Sequence, residues 1–243
     1  MKKQHILILA FLLVAVWASA QTTPSPQQVV ESMYILPKRG MEEKFEAAIK
    51  AHNQKFHPAG PHVAGLRKVE YGTKAGWYVW IYGPTTFDNL DSRPAKENGH
   101  QDDWTNNIDP LIEEYGSTGL WAFNADLTFG YDIFKKSKYA EVWAVDIKPG
   151  EYYRFKAMAG KLKKAIESLN TMSFLVLDNQ VHVAGGPDVT MVWSFNTYKE
   201  WSEDSGLMEA YEKINGKGTW QTMLTEWRDI IVDYDAEIRS ILF

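Results

Sequence analysis

Apolar and polar positions along this chain follow two periods, and the switches between them outline its elements. Period-two alternation marks strands at "ESMYILP" (31–37), "YVWIYG" (78–83), "AEVWAVDI" (140–147) and "MVWSFN" (191–196). Spacing of three and four marks two helices, one carrying Met41, Phe45, Ala48, Ile49, His52 and Phe56, the other Phe155, Met158, Leu162, Ile166 and Leu169. Turn residues in "YGTKAGW" and "AGGPD" separate further strands. Thr86 and Thr197 each stand where a hydroxyl would cap a following helical stretch, which contains Trp104 in one case and Trp220 in the other.

The elements occur twice in one order. Gly40 and Gly150 lie 110 residues apart, as do Phe45 and Phe155. Thr86 and Thr197, Leu90 and Trp201, and "FNADL" and "YDAEI" lie 111 apart. We read an internal duplication of a β-α-β-β-α-β unit, with both helices on one face of each sheet. The expected fold is α+β: two tandem ferredoxin-like repeats packing sheet to sheet as an internal pseudo-dimeric barrel. Expected boundaries are a leader at 1–20, a flexible lead at 21–29, a first repeat at 30–130, a linker at 131–138 and a second repeat at 139–243. A hairpin near Asp178-Asn179 stays open.

Alternation puts Tyr78, Trp80 and Tyr82 on one face of their strand and Val79 and Ile81 on the other; Met191, Trp193 and Phe195 repeat the arrangement. Both faces are apolar and helices cover only one. The expectation is therefore that these aromatics lie between the sheets, where Tyr78, Trp80, Tyr82, Trp193 and Phe195 line a ligand pocket, found first in the more polar first repeat.

The Gly-started helices at "PKRGMEEKFEAAI" and "KPGEYYRFKAM", the duplicated order and the aromatic strands resemble the dimeric α/β-barrel superfamily, which includes antibiotic-biosynthesis-type monooxygenases, NIPSNAP-like proteins and haem-handling relatives. The resemblance covers most of residues 30–243 and implies binding of a small, often aromatic ligand, with oxidative or isomerising chemistry that needs no cofactor. It disfavours haem degradation, because no His soon follows either aromatic strand and no Asn stands in either first strand.

The N-terminus adds an address. "MKKQHILILAFLLVAVWASAQ" has two lysines, an apolar run and a small-x-small site, the pattern of a cleaved export signal, which leads to a periplasmic or extracellular protein without a membrane anchor. The absence of cysteine excludes disulfides, thiolate metal sites and a Cys nucleophile. Beyond residue 20 there are 24 basic and 31 acidic residues with no basic block, so nucleic acid is not expected as a partner.

Two polar residues stand out as catalytic candidates, His52 and Tyr34. His52 occupies an apolar helix stripe where the second copy has Leu162, a titratable group facing the sheet. His57 and His62 follow in "HPAGPH", but a spacing of five matches neither a helical metal pair nor a zinc-finger tail, so no metal is expected. "HQDDW" (100–104) reads as acids complementing a helix dipole. A rival from another class is a non-catalytic surface protein that stacks exposed aromatics on sugars or a protein partner.

Overall fold

A computed structural model describes residues 26–94 and 98–243; the leader and residues 21–25 of the lead lie outside the described residues. The strands are β1 (Gln28–Pro37), β2 (Ala64–Tyr71), β3 (Tyr78–Thr86), β4 (Ile112–Phe123), β5 (Tyr139–Ile147), β6 (Phe174–Asn179), β7 (Val189–Phe195) and β8 (Ile231–Ile241). The helices are α1 (Glu42–Phe56), α2 (Phe87–Leu90), α3 (His100–Asp103), α4 (Tyr131–Phe134), α5 (Tyr152–Leu169), α6 (Tyr198–Ser202), α7 (Leu207–Asn215) and α8 (Thr219–Ile230). A π turn, Trp104–Ile108, continues α3. The lead is shorter than the composition of 21–29 suggested, because β1 already opens at Gln28.

The protein is mixed α+β, with all eight strands antiparallel in one closed sheet, in the order β1-β3-β2-β8-β5-β7-β6-β4. Within it β1–β4 run 4-1-3-2 and β5–β8 run 8-5-7-6. The two quartets meet edge to edge, by hydrogen bonding of β2 to β8 and of β4 to β6, rather than as two sheets stacked face to face. An open quartet would leave two edges of unpaired N–H and C=O groups; closing the ring pairs them.

The long helices α1, α5 and α8 cover the outside of the ring. Phe45 and Ile49 of α1 pack with Ile35, Leu66, Tyr78 and Ile108 on one side. On the other, Phe155, Met158 and Ile166 of α5 and Met223 of α8 pack with Val145, Phe174 and Met191. The loop entering each long helix turns through a left-handed glycine, Gly40 at φ 78° and Gly150 at φ 86°, a conformation that strains any residue with a Cβ.

Both threonine caps form. Thr86 Oγ1 accepts from the Asn89 amide at 3.4 Å, and Thr197 Oγ1 accepts from the Glu200 amide at 3.1 Å. Thr197→Ala is expected to cost about 1 kcal/mol, the usual worth of a cap, measured as a lower urea midpoint at unchanged slope. No change in midpoint would show α6 to be fixed by packing alone.

Candidate functional site

Eight strands make a ring just wide enough to hold side chains or one small ligand. Inside this one lies a cavity of about 430 Å³. Alternation assigns its walls: Val30, Ser32 and Tyr34 from β1, Ala140, Val142 and Ala144 from β5, Leu175 and Leu177 from β6, Thr190 and Val192 from β7, and Asp235, Glu237 and Arg239 from β8. Trp121 and Phe123 of β4 add aromatic area, as do Tyr131 and Phe134 of α4. Residues 131–134, expected to be linker, thus form a helix whose two rings line the cavity.

One part of this wall is polar. Tyr34 Oη donates to Glu237 Oε2 at 3.0 Å and accepts from Arg239 Nη2 at 2.6 Å, while Arg239 Nε donates to the same Glu237 oxygen at 2.8 Å. Arg67 donates to the carbonyls of Leu66 at 3.0 Å and Phe243 at 2.6 Å. Two guanidiniums against the Glu237 carboxylate give this group a net positive charge, and Asp235 and Lys74, also in the lining, offset each other. Burial, reinforced by Arg239, pushes the Arg67 pKa down to about 10. Burial pushes Tyr34 up to about 12, with Glu237 adding to the rise and Arg239 opposing it, so the phenol keeps its proton at neutral pH and holds it toward Glu237.

His52 lies elsewhere, on the outer face of the sheet. It stands on α1, His57 at the end of that helix, His62 in the turn before β2 and His100 at the start of α3. His52 Nδ1 lies 2.8 Å from Asp103 Oδ2, and His57 Nδ1 lies 2.8 Å from the His62 carbonyl. Their Nε2 atoms lie 3.2 and 3.0 Å from His100 Nε2. His62 Nδ1 bonds the Tyr82 hydroxyl.

Desolvation lowers the pKa of all three clustered histidines, to about 4 for His57. At His52 the Asp103 hydrogen bond opposes that fall, and at His57 the bond to the His62 carbonyl does. Burial raises the Asp103 pKa, but its hydrogen bonds from His52 and Asn107 outweigh this and bring it down.

The two residues singled out as catalytic are therefore separated: Tyr34 faces the cavity, and His52 faces away from it. The aromatic strands also face outward, against the expectation that they fill the space between sheets. Tyr78 is fully buried against Phe45 with its hydroxyl donating to Glu46, and Trp80 donates to Asn53 Oδ1 at 3.1 Å. Trp193 packs with Phe174 and the α5 core, and Phe195 stacks on Tyr139. On β3 and β7 the ring takes Ile81, Thr190 and Val192 inside, and their aromatic residues go to the wedge between sheet and helices. That wedge is filled by Phe45, Ile49 and Tyr78 on one side and Phe155, Met158 and Phe174 on the other, so no macrocycle the size of haem fits between those side chains.

Arg67, Glu237, Arg239 and Trp121 were not picked out from the sequence, and His100 was met only in "HQDDW", read there as a helix-dipole pattern. "DAEIR" carried a signal, since Asp235, Glu237 and Arg239 share one strand face, but such a face looks like a solvated one until the ring closes over it.

No family model matches this chain, and no curated protein matches it. Solved structures do. A proposed monooxygenase from Fusobacterium nucleatum subsp. nucleatum is 10% identical, with 90% of this chain and 94% of that chain covered and a TM-score of 0.57. A chlorite dismutase variant from Candidatus Nitrospira defluvii is 10% identical over 87% and 90% of the two chains, with a TM-score of 0.53. An anthrone oxidase-like protein is 10% identical over 90% and 93%, with a TM-score of 0.52. The chain shares the fold of monooxygenase-type and chlorite dismutase-type proteins; at this identity the likeness speaks to fold alone.

Proposed function

We propose that this is an exported small-molecule-binding protein whose site is the barrel interior, and that it takes an apolar, chiefly aromatic molecule bearing one anionic oxygen. The observation that carries the reading is the cavity itself: walls of Val, Leu, Ala and aromatic rings converge on one group, Arg67, Arg239, Tyr34 and Glu237, with an excess positive charge. Apolar walls with few convergent polar groups are the usual make-up of a ligand site.

Monooxygenase-like chemistry is the reaction this arrangement suits. The guanidiniums favour the anionic form of a phenol or enolisable ketone, which is the electron-rich form that dioxygen oxidises. The fold neighbours described as monooxygenase and anthrone oxidase-like support this class. Export rests on the N-terminal sequence pattern. The equal strand orders of the two quartets, the paired glycine turns and the paired threonine caps support descent of both halves from one ferredoxin-like unit.

The rival reading, docking through exposed aromatics, retains Trp201, Phe87 and six exposed tyrosines, but it loses the other described tryptophans, none of which is exposed. Calorimetry with 2-naphthoate and its neutral isostere 2-naphthamide tests the proposal. One equivalent of naphthoate is expected to bind, at least tenfold tighter than the amide. Val192→Trp, which fills the cavity, is expected to abolish binding, and Arg67→Gln to weaken it about tenfold or more. Binding that survives Val192→Trp would overturn the site, and equal affinity for acid and amide would overturn the charge selection.

A further inference from the structure

Outside the barrel, the histidine cluster presents a bonding deficit. Asp103 Oδ2 and the His62 carbonyl can only accept hydrogen bonds, so the protons of His52 and His57 sit on their Nδ1 atoms. Both Nε2 atoms then carry lone pairs, and both aim at one atom, His100 Nε2, at 3.2 and 3.0 Å. A neutral His100 can offer a single proton there. At least one lone pair is left without a partner, between two histidines that are 1% and 3% exposed.

A cation resolves this where a proton does not. One ring nitrogen from each of His52, His57 and His100 lies within 4.8 Å of the other two. Tetrahedral coordination at about 2.0–2.1 Å places ligand nitrogens roughly 3.3 Å apart, close to two of the separations already present. The surroundings are those of a metal-ligating triad: His52 is oriented by a carboxylate, itself held by Asn107 Nδ2 at 3.0 Å, and His57 by a main-chain carbonyl. Phe56, Trp104 and Trp80 pack around the rings. Lys55 stands 4.0 Å from the other Asp103 oxygen, on the far side of the carboxylate from the imidazole bond.

We propose that His52, His57 and His100 form a binding site for one divalent transition ion of the zinc class, with the fourth position open to water or a ligand beside the half-exposed His100. Three imidazoles and no carboxylate or thiolate in contact favour zinc, copper or cobalt over magnesium or calcium. The site joins α1 to α3, with His57 and His100 separated by 43 positions in the chain. It lies across β3 from the naphthoate cavity, so the two proposals fail independently.

The test uses the mature protein without an affinity tag, stripped with EDTA and titrated with Co²⁺, followed by visible absorption and by displacement with Zn²⁺. One equivalent of Co²⁺ is expected, with the intense bands of a four-coordinate ion that Zn²⁺ abolishes, and with a rise in melting temperature. His100→Ala is expected to lower affinity at least 100-fold and Asp103→Asn about 10- to 100-fold. His182→Ala is expected to bind as the parent does. Because His100 is half-exposed, its removal leaves the fold intact, which circular dichroism and unchanged naphthoate binding verify. Absence of saturable Co²⁺ binding, or undiminished affinity in folded His100→Ala, would overturn the proposal.

Discussion

Glu237→Ala is expected to cost about 3–5 kcal/mol of unfolding free energy, the toll of removing one partner from a buried ion pair. Glu237 is 6% exposed and one of its oxygens accepts from Arg239 and from Tyr34. Without it, two guanidiniums share an enclosed space with no anion between them, and Arg67 is already depressed by burial and by Arg239. Glu237→Gln separates charge from hydrogen bonding, since the amide oxygen still accepts but no longer neutralises; its loss should be smaller. An anion that enters the cavity supplies the missing charge, so naphthoate should restore more stability to Glu237→Ala than to the parent. Urea unfolding with and without naphthoate measures both effects. A loss below about 1 kcal/mol would mean that Arg239 swings out to solvent when its partner is gone.

The elements were far more legible in the sequence than their arrangement around the site. Period and turn chemistry located β1, β3, β5, β7, α1 and α5, because each is an amphipathic segment whose pattern is written within itself. Tyr34 and His52, singled out together as candidates, lie on opposite faces of the sheet. Strand alternation says that Trp80 and Ile81 point apart without saying which one faces helices. That choice is made by ring closure, through pairing of β2 with β8 and β4 with β6, segments distant in the chain. The histidine cluster was hidden for the same reason. The spacing of His57 and His62 matched no metal pattern; His62 contributes its carbonyl, and the third imidazole comes from His100 on another element.

Phe155→Ala should lower stability by about 3–5 kcal/mol, whereas Val192→Ala should cost only about 1–1.5. The difference measures how the fold divides its labour between the two faces of one sheet. Phe155 is fully buried in the largest apolar cluster, wedged with Met158, Phe174 and Met191, so deleting its ring removes transfer energy and leaves a void that packed neighbours on every side cannot fill. Val192 faces the barrel interior, where a cavity of about 430 Å³ already exists, so truncation mainly enlarges a space that the native state tolerates. Naphthoate affinity should move the opposite way: unaffected by Phe155→Ala at temperatures where that variant is folded, and altered by Val192→Ala, which reshapes the wall. Comparable losses of stability from the two substitutions would mean that the interior is packed in solution, and would remove the cavity on which small-molecule binding depends.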